Sequence, residues 1–169
     1  MTDPWSGLTF DEFMSARWTP LFRTAYLLTG DRHEAEDLLQ SALARTCVRW
    51  ESIRDKGAAD AYVRTAMLHQ MSRQWRKRRR EVPTDDLPDV GHDGGLDVRA
   101  DHLALWAEIR RLPPRMRATL VLRYVEDLTE AATAAELGCS VGTVKSQTHH
   151  ALQRLRAALP DLQLVQEMS

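Results

Sequence analysis

Residues 81–100, "EVPTDDLPDVGHDGGLDVRA", constrain the fold of this chain more than any other feature. Pro83 and Pro88 each remove a backbone donor, Gly91, Gly94 and Gly95 favour no regular element, and the intervening acids leave almost no apolar periodicity. A segment of this kind buries too little surface to hold one shape, so it reads as a flexible acidic linker. It separates two small domains, residues 8–80 and 101–160. In both halves apolar residues recur at three- and four-residue spacing, and strand-like alternation is missing. The expected fold class is all-α: two small helical domains on either side of residues 81–100.

Charge is distributed unevenly too. The formal net charge is −1 over 169 residues, yet residues 61–80, "AYVRTAMLHQMSRQWRKRRR", hold seven Arg or Lys and no acid, whereas residues 81–101 hold seven acids and one Arg. A near-neutral total therefore does not exclude a nucleic-acid partner. No apolar run approaches the roughly 20 residues of a membrane helix, and "MTDPWSG" lacks the charge and apolar stretch of a secretion signal. The expectation is a cytoplasmic protein with no membrane insertion. Cys47 and Cys139 stand far apart without a CxxC or a His at ligand spacing, which argues against a disulfide framework or a zinc site. Both are expected to be small buried or half-buried side chains, with no metal and no cofactor.

In the first half, Thr9 and Glu12 form a capping-box signature, and Thr19-Pro20 either starts a second helix or kinks the first. Gly30 ends that stretch. Asp31 with Glu34 caps the next helix, whose apolar face is Ala35, Leu38, Leu39, Ala42, Leu43, Thr46 and Trp50. A basic helix from about Ala61 to Arg79 follows the loop "ESIRDKGAAD". On it Val63, Ala66, Met67 and Met71 define the core side, while His69, Arg73, Arg76 and Arg80 form a separate cationic stripe able to follow a phosphate backbone. Five consecutive like charges at its end, Arg76 to Arg80, repel one another unless an anion lies nearby. Trp75 sits between stripe and core, placed either to pack or to stack on an unpaired base.

In the second half, helices are expected near 101–111, 114–125, 129–137 and 141–158. "LTEAATAAELGCSVGTVKSQTHHALQRLR" has the layout of a helix-turn-helix: a first helix capped by Thr129, a turn with Gly138 at positive φ, and a second helix capped by Ser140. At 100° per residue, Val141, Val144, Thr148, Ala151, Leu155 and Leu159 make one buried stripe, and Gly142, Ser146, His149, His150 and Gln153 point away from it. Thr143, Lys145 and Gln147 lie at the edges. Short side chains, amides and cations without an acid suit a major groove; the plainer alternative is a solvated face. Adjacent His149 and His150 diverge by 100°, so they do not make the four-residue pair of a helical metal site.

In this order, "AYLLTGDRHEAEDLLQSALARTCVRW", "YVRTAMLHQMSRQWRKRRREVPT" and "LPPRMRATLVLRYVEDLTEAATAAELGCSVGTVKSQ" resemble the extracytoplasmic-function (ECF, group IV) sigma factors of bacterial RNA polymerase, in particular their SigE-like subgroup. The resemblance covers nearly the whole chain. It implies a non-catalytic specificity subunit that binds core RNA polymerase, at the beta-prime clamp and the beta flap, and promoter DNA, with a possible anti-sigma factor as antagonist. The first domain (sigma region 2) would bind the clamp through Asp37, Gln40 and Ser41. It would hold an extruded minus-10 base with Ile53, Arg54, Asp55, Lys56 and His69, and melt DNA along Arg73, Arg76 and Arg80. The second (sigma region 4) would read the minus-35 element with Thr143, Lys145, Ser146, Gln147, His149 and His150, and hold phosphate with Arg123.

For the acidic linker the resemblance implies a path toward the polymerase's active-site and RNA-exit channel as an RNA mimic; a solubilising spacer is the alternative. The chain departs from the family at His69, usually Asn, at Ser41, usually acidic, at Gln147 and often at His150, where Arg is usual, and at Thr148, usually aliphatic. These changes bear on base preference and phosphate attraction. A DNA-binding regulator that works without polymerase would use the helix-turn-helix alone and leave the basic helix unexplained. A metal-dependent phosphohydrolase, suggested only by His92-Asp93 with Asp89 and Asp97, would have no helix to orient its ligands.

Overall fold

A computed structural model of the chain describes residues 7–81 and 100–168. Every regular element among them is helical: α1 (Phe10–Thr29), α2 (Arg32–Val48), α3 (Ala59–Glu81), α4 (Ala100–Arg111), α5 (Pro114–Leu120), α6 (Glu130–Leu137), α7 (Val141–Ala158) and α8 (Gln163–Glu167). Short 3-10 turns at Trp50–Ser52 and Lys56–Ala58 link α2 to α3, and a π turn at Val121–Val125 follows α5. The contacts divide the chain into two compact units, Met1–Tyr26 with Arg32–Asp85 and Leu27–Asp31 with Asp86–Ser169. The acidic linker and His92-Asp93 lie outside the described residues.

The first unit is built on the expected α2 face. Ala35, Leu38, Leu39, Ala42, Leu43 and Thr46 are buried, and so are Val63, Met67, Leu68 and Met71 of α3, the helix packed against it. The capping box forms as read: Thr9 N donates to Glu12 Oε2 (2.9 Å), and Glu12 N donates back to Thr9 Oγ1 (3.3 Å). The Thr9 backbone N–H and then the Thr9 hydroxyl, which also donates to Glu12 Oε2 (2.8 Å), hold the Glu12 carboxyl below its ordinary pKa. Helix α1 then runs through Pro20 without a break, so Thr19-Pro20 starts no second helix. Gly30 takes φ +77°, the left-handed conformation that lets the chain leave α1.

Trp50 fastens the end of α2 to the start of α1. It is buried, its indole N–H donates to the Leu8 carbonyl (3.1 Å), and Phe10 and Phe13 lie with ring centroids 5.5 and 5.1 Å away. Arg17 adds a two-point ion pair to Asp60 in the first turn of α3 (3.0 and 2.5 Å). Cys47 is exposed, which corrects the expectation that both cysteines are covered; Cys139 is half-buried.

In the second unit Thr129 accepts from Ala132 N (3.1 Å) and Ser140 from Thr143 N (3.1 Å), while Gly138 at φ +63° makes the turn between α6 and α7. Asp127 also takes positive φ, +52°, in the bend after the π turn. On α7, Val144, Ala151 and Leu155 are buried as expected, joined by Leu152. Val141 departs from the stripe and is 38% exposed, because it is the first helical residue and the inner stripe starts one turn later. The Thr148 hydroxyl oxygen is buried and meets no hydrogen-bond partner among the described residues. Replacing it with a methyl of the same shape removes that penalty, so Thr148→Val should stabilise the protein by about 1 kcal/mol, read as a higher denaturation midpoint at unchanged m-value.

Candidate nucleic-acid interface

The loop between α2 and α3 is braced from within. Ile53 N closes its turn on the Trp50 carbonyl (3.2 Å), and the Ile53 side chain is only 5% exposed, so it belongs to the core and not to an open wall. Asp55 caps the second turn by accepting from Gly57 N (2.9 Å). Lys56 donates to the Trp50 carbonyl and lies 4.3 Å from the centroid of that indole, a cation over an aromatic face. Three of the four loop residues named above therefore set the loop's shape, and Arg54 is exposed on its surface.

His69 is exposed on α3 and lines a different feature, a surface cavity of about 410 Å³ between the end of α2 and the middle of α3. Arg45, Arg49, Tyr62 and Thr65 share its wall. Val48 stands beside them 88% exposed, and Tyr62 is 46% exposed. Two guanidiniums, a phenol ring, a hydroxyl and an imidazole around one opening can take a planar ring with a phosphate beside it. Sequence reading missed Arg45, Arg49, Tyr62 and Thr65, although Tyr62 and Thr65 lie on the same side of α3 as His69 and Arg49 follows Arg45 by four residues at the end of α2. The signal that would have found them is the pairing of α2 with α3.

Further along α3, Arg73 and Arg76 are exposed on the His69 side, with Arg76 Nε donating to the Ser72 carbonyl (3.4 Å). The Arg80 side chain lies outside the described residues. Arg78, off the stripe, meets Glu34 of α2 at 3.6 Å. On α2, Asp37 and Gln40 are exposed and Ser41 is half-buried.

On α7, Lys145, Ser146, His149, His150 and Gln153 are exposed, and the two imidazole centroids lie 5.8 Å apart with their planes tilted by 54°. One acid does reach this face from another helix: Glu130 of α6 lies 3.7 Å from Lys145 Nζ. Thr143 and Gln147 are half-buried and already engaged. The Thr143 hydroxyl meets Ser140 Oγ at 2.9 Å. The buried Thr119 hydroxyl shares its proton between the Arg115 carbonyl (2.9 Å) and the Gln147 amide oxygen (2.7 Å). Arg123 donates to the Leu128 carbonyl and so holds the bend before α6.

Two family models match these two units: sigma-70 region 2 over residues 18–81 and sigma-70 region 4 over residues 102–155. The RNA polymerase sigma-E factor of Streptomyces coelicolor is 45% identical, over 90% of this chain and 86% of that protein. The ECF RNA polymerase sigma factor SigL of Mycobacterium tuberculosis is 31% identical, over 90% of this chain and 88% of that one. The chain belongs to the ECF sigma factors. This sigma factor also shares its fold with a solved structure of the sigma factor RpoE in complex with the anti-sigma factor NepR from Bartonella quintana (TM-score 0.66, 24% identity, 90% of this chain and 97% of that one).

An ECF sigma factor acts as a non-catalytic initiation subunit that joins core RNA polymerase to promoter DNA. The two exposed faces thus fall within the two regions that define the family. In this sigma factor Gln147 braces α5 against α7, whereas the His149 side chain is exposed beside His150. Gln147→Ala should cost about 1 kcal/mol of stability through the Thr119 hydroxyl, measured by denaturant titration.

Proposed function

We propose that the sigma factor reads its promoters through two separate surfaces: the cavity and cationic stripe of α3 for the minus-10 element, and the outward face of α7 for the minus-35 element. The observation that carries this reading is the alignment of His69, Arg73 and Arg76, all exposed on one helix, with His69 opening into the cavity shared with Tyr62. Duplex melting exposes base edges and faces; an extruded base would enter the cavity while the guanidiniums hold the strand behind it. Ile53, Asp55 and Lys56 act indirectly, by fixing the loop that Arg54 tops.

On α7, Ser146, His149 and His150 reach base edges, Lys145 and Arg123 hold phosphate, and Thr143 and Gln147 place the helix. Asp37, Gln40 and Ser41 present the polar side of α2 to the polymerase clamp. Residues 8–80 and 101–160 are the working domains, and residues 81–100 join them. No described helix is long and apolar enough to cross a membrane, which agrees with work in the cytoplasm beside the chromosome. The RpoE relative is held by an anti-sigma factor; a comparable antagonist would cover the α2 face here.

Reconstitution with core polymerase tests the reading. Co-purification with core, and initiation only in its presence, is expected; tight duplex binding by the isolated protein with no affinity for core would refute it. Changing both Arg73 and Arg76 to Ala should lower open-complex formation at every promoter. It should also flatten the log–log salt dependence by about 1.4, as two lost phosphate contacts on single-stranded DNA require. His149→Ala should instead change minus-35 base preference by about 1–3 kcal/mol at one position, with melting unaffected.

A further inference from the structure

The match to region 4 stops at residue 155, but the fold of the second unit does not. After α7 the chain turns back through Leu159 and Leu162, with Leu162 N donating to the Leu159 carbonyl (3.2 Å) and Val165 N to the Leu162 carbonyl (3.1 Å). Val165 is completely buried in the cluster formed by Ile109, Leu112, Leu120, Ala151, Leu152 and Leu155. Arg156 of α7 donates through Nη2 to the Met168 carbonyl (3.1 Å) and ties down the far end. The Met168 side chain then forms part of the wall of an open, largely apolar cavity of about 310 Å³ that also involves Trp106, Val121, Tyr124 and Val125. Tyr124 and Val125 remain 37% and 44% exposed at its rim.

Helix α8 has five residues, and Leu162 at its N-terminus makes no side-chain capping bond. A helix that short has no stability of its own in water, so its shape depends on the anchor at Val165 and the tether at Arg156. Val165, the partly buried Leu162 and Met168, and the Arg156 bond hold this short segment at the edge of the cluster, while α7 is held along a whole buried stripe. Opening of the segment alone is therefore the cheapest way to uncover this part of the core.

We propose that Leu162–Met168 is a latch: this segment after α7 occupies one end of the apolar cavity on the region 4 unit, and its release enlarges the apolar surface bounded by Trp106, Tyr124 and Val125. The latch sets how much of that surface is presented, independently of the DNA-reading face of α7. The inference rests on the packing of the second unit alone, so it stands or falls separately from the promoter-reading assignments.

Native-state hydrogen exchange on the protein, with both units present, tests it. The Val165 amide is expected to be protected, yet to exchange about 100-fold faster than the Leu155 amide, as a sub-global opening requires. Arg156→Ala and Met168→Ala should each raise Val165 exchange about tenfold, the equivalent of one lost hydrogen bond or small apolar contact, with Leu155 exchange unchanged. The same variants should bind the apolar dye anilinonaphthalene sulfonate more strongly. Equal exchange at Val165 and Leu155 would make α8 an integral part of the core and overturn the latch. An unprotected Val165 amide in the unaltered protein, or dye binding unchanged in both variants, would overturn it as well.

Discussion

The first unit depends on one indole. Trp50 ends the buried face of α2, donates to a carbonyl ahead of α1, packs on two phenylalanine rings and carries the Lys56 ammonium over its face. Each contact alone is modest, about 1 kcal/mol for the hydrogen bond and a similar amount for an aromatic pair. Their value lies in converging on one rigid group. The chain before α1, the end of α2 and the loop ahead of α3 are all referred to the same ring. The loop that carries Arg54 can thus hold a defined shape with only two single-turn helices in it.

The two faces assigned to DNA are built differently. On α3 the cations stand on a long helix whose inner side is occupied by Val63, Met67 and Met71, so the stripe is straight because the core beneath it is. On α7 the exposed residues sit on a shorter lever, fixed at its start by the Ser140 cap and along its length by Val144, Ala151 and Leu155. A straight cationic stripe suits a backbone of repeating charge. A capped helix end suits a groove, where placement decides which base edge is met.

Much of this was legible in the order of residues. Capping residues place the ends of α1, α6 and α7, because Thr9, Thr129, Gly138 and Ser140 act over one turn of chain, and apolar periodicity places α2 and α3 within a few residues. Features that depend on distant partners were not legible. Ile53 looked like part of a loop surface, yet the turn closed on Trp50 puts it in the core. Gln147 stood out as an edge of the outward α7 face, and nothing local shows that Thr119, 28 residues earlier, meets its amide oxygen. Arg45 and Tyr62 share a cavity only because α2 lies against α3. Helix α8 has no side-chain capping bond, and five residues with Leu162, Val165 and Met168 on one side are too short a pattern to mark a helix, so its existence follows from the hollow that Val165 fills.

The contact between Thr119 and Gln147 divides a single helix turn into positions with different freedom. Ser146, His149 and His150 can be exchanged with no buried group losing a partner, while position 147 cannot change without disturbing a hydroxyl in the interior of α5. On the proposed reading of α7, drift in promoter preference has an open route and a closed one on the same helix. A lineage of such proteins would be expected to diversify its target sequences through the two histidines long before it altered the glutamine between them and the cap.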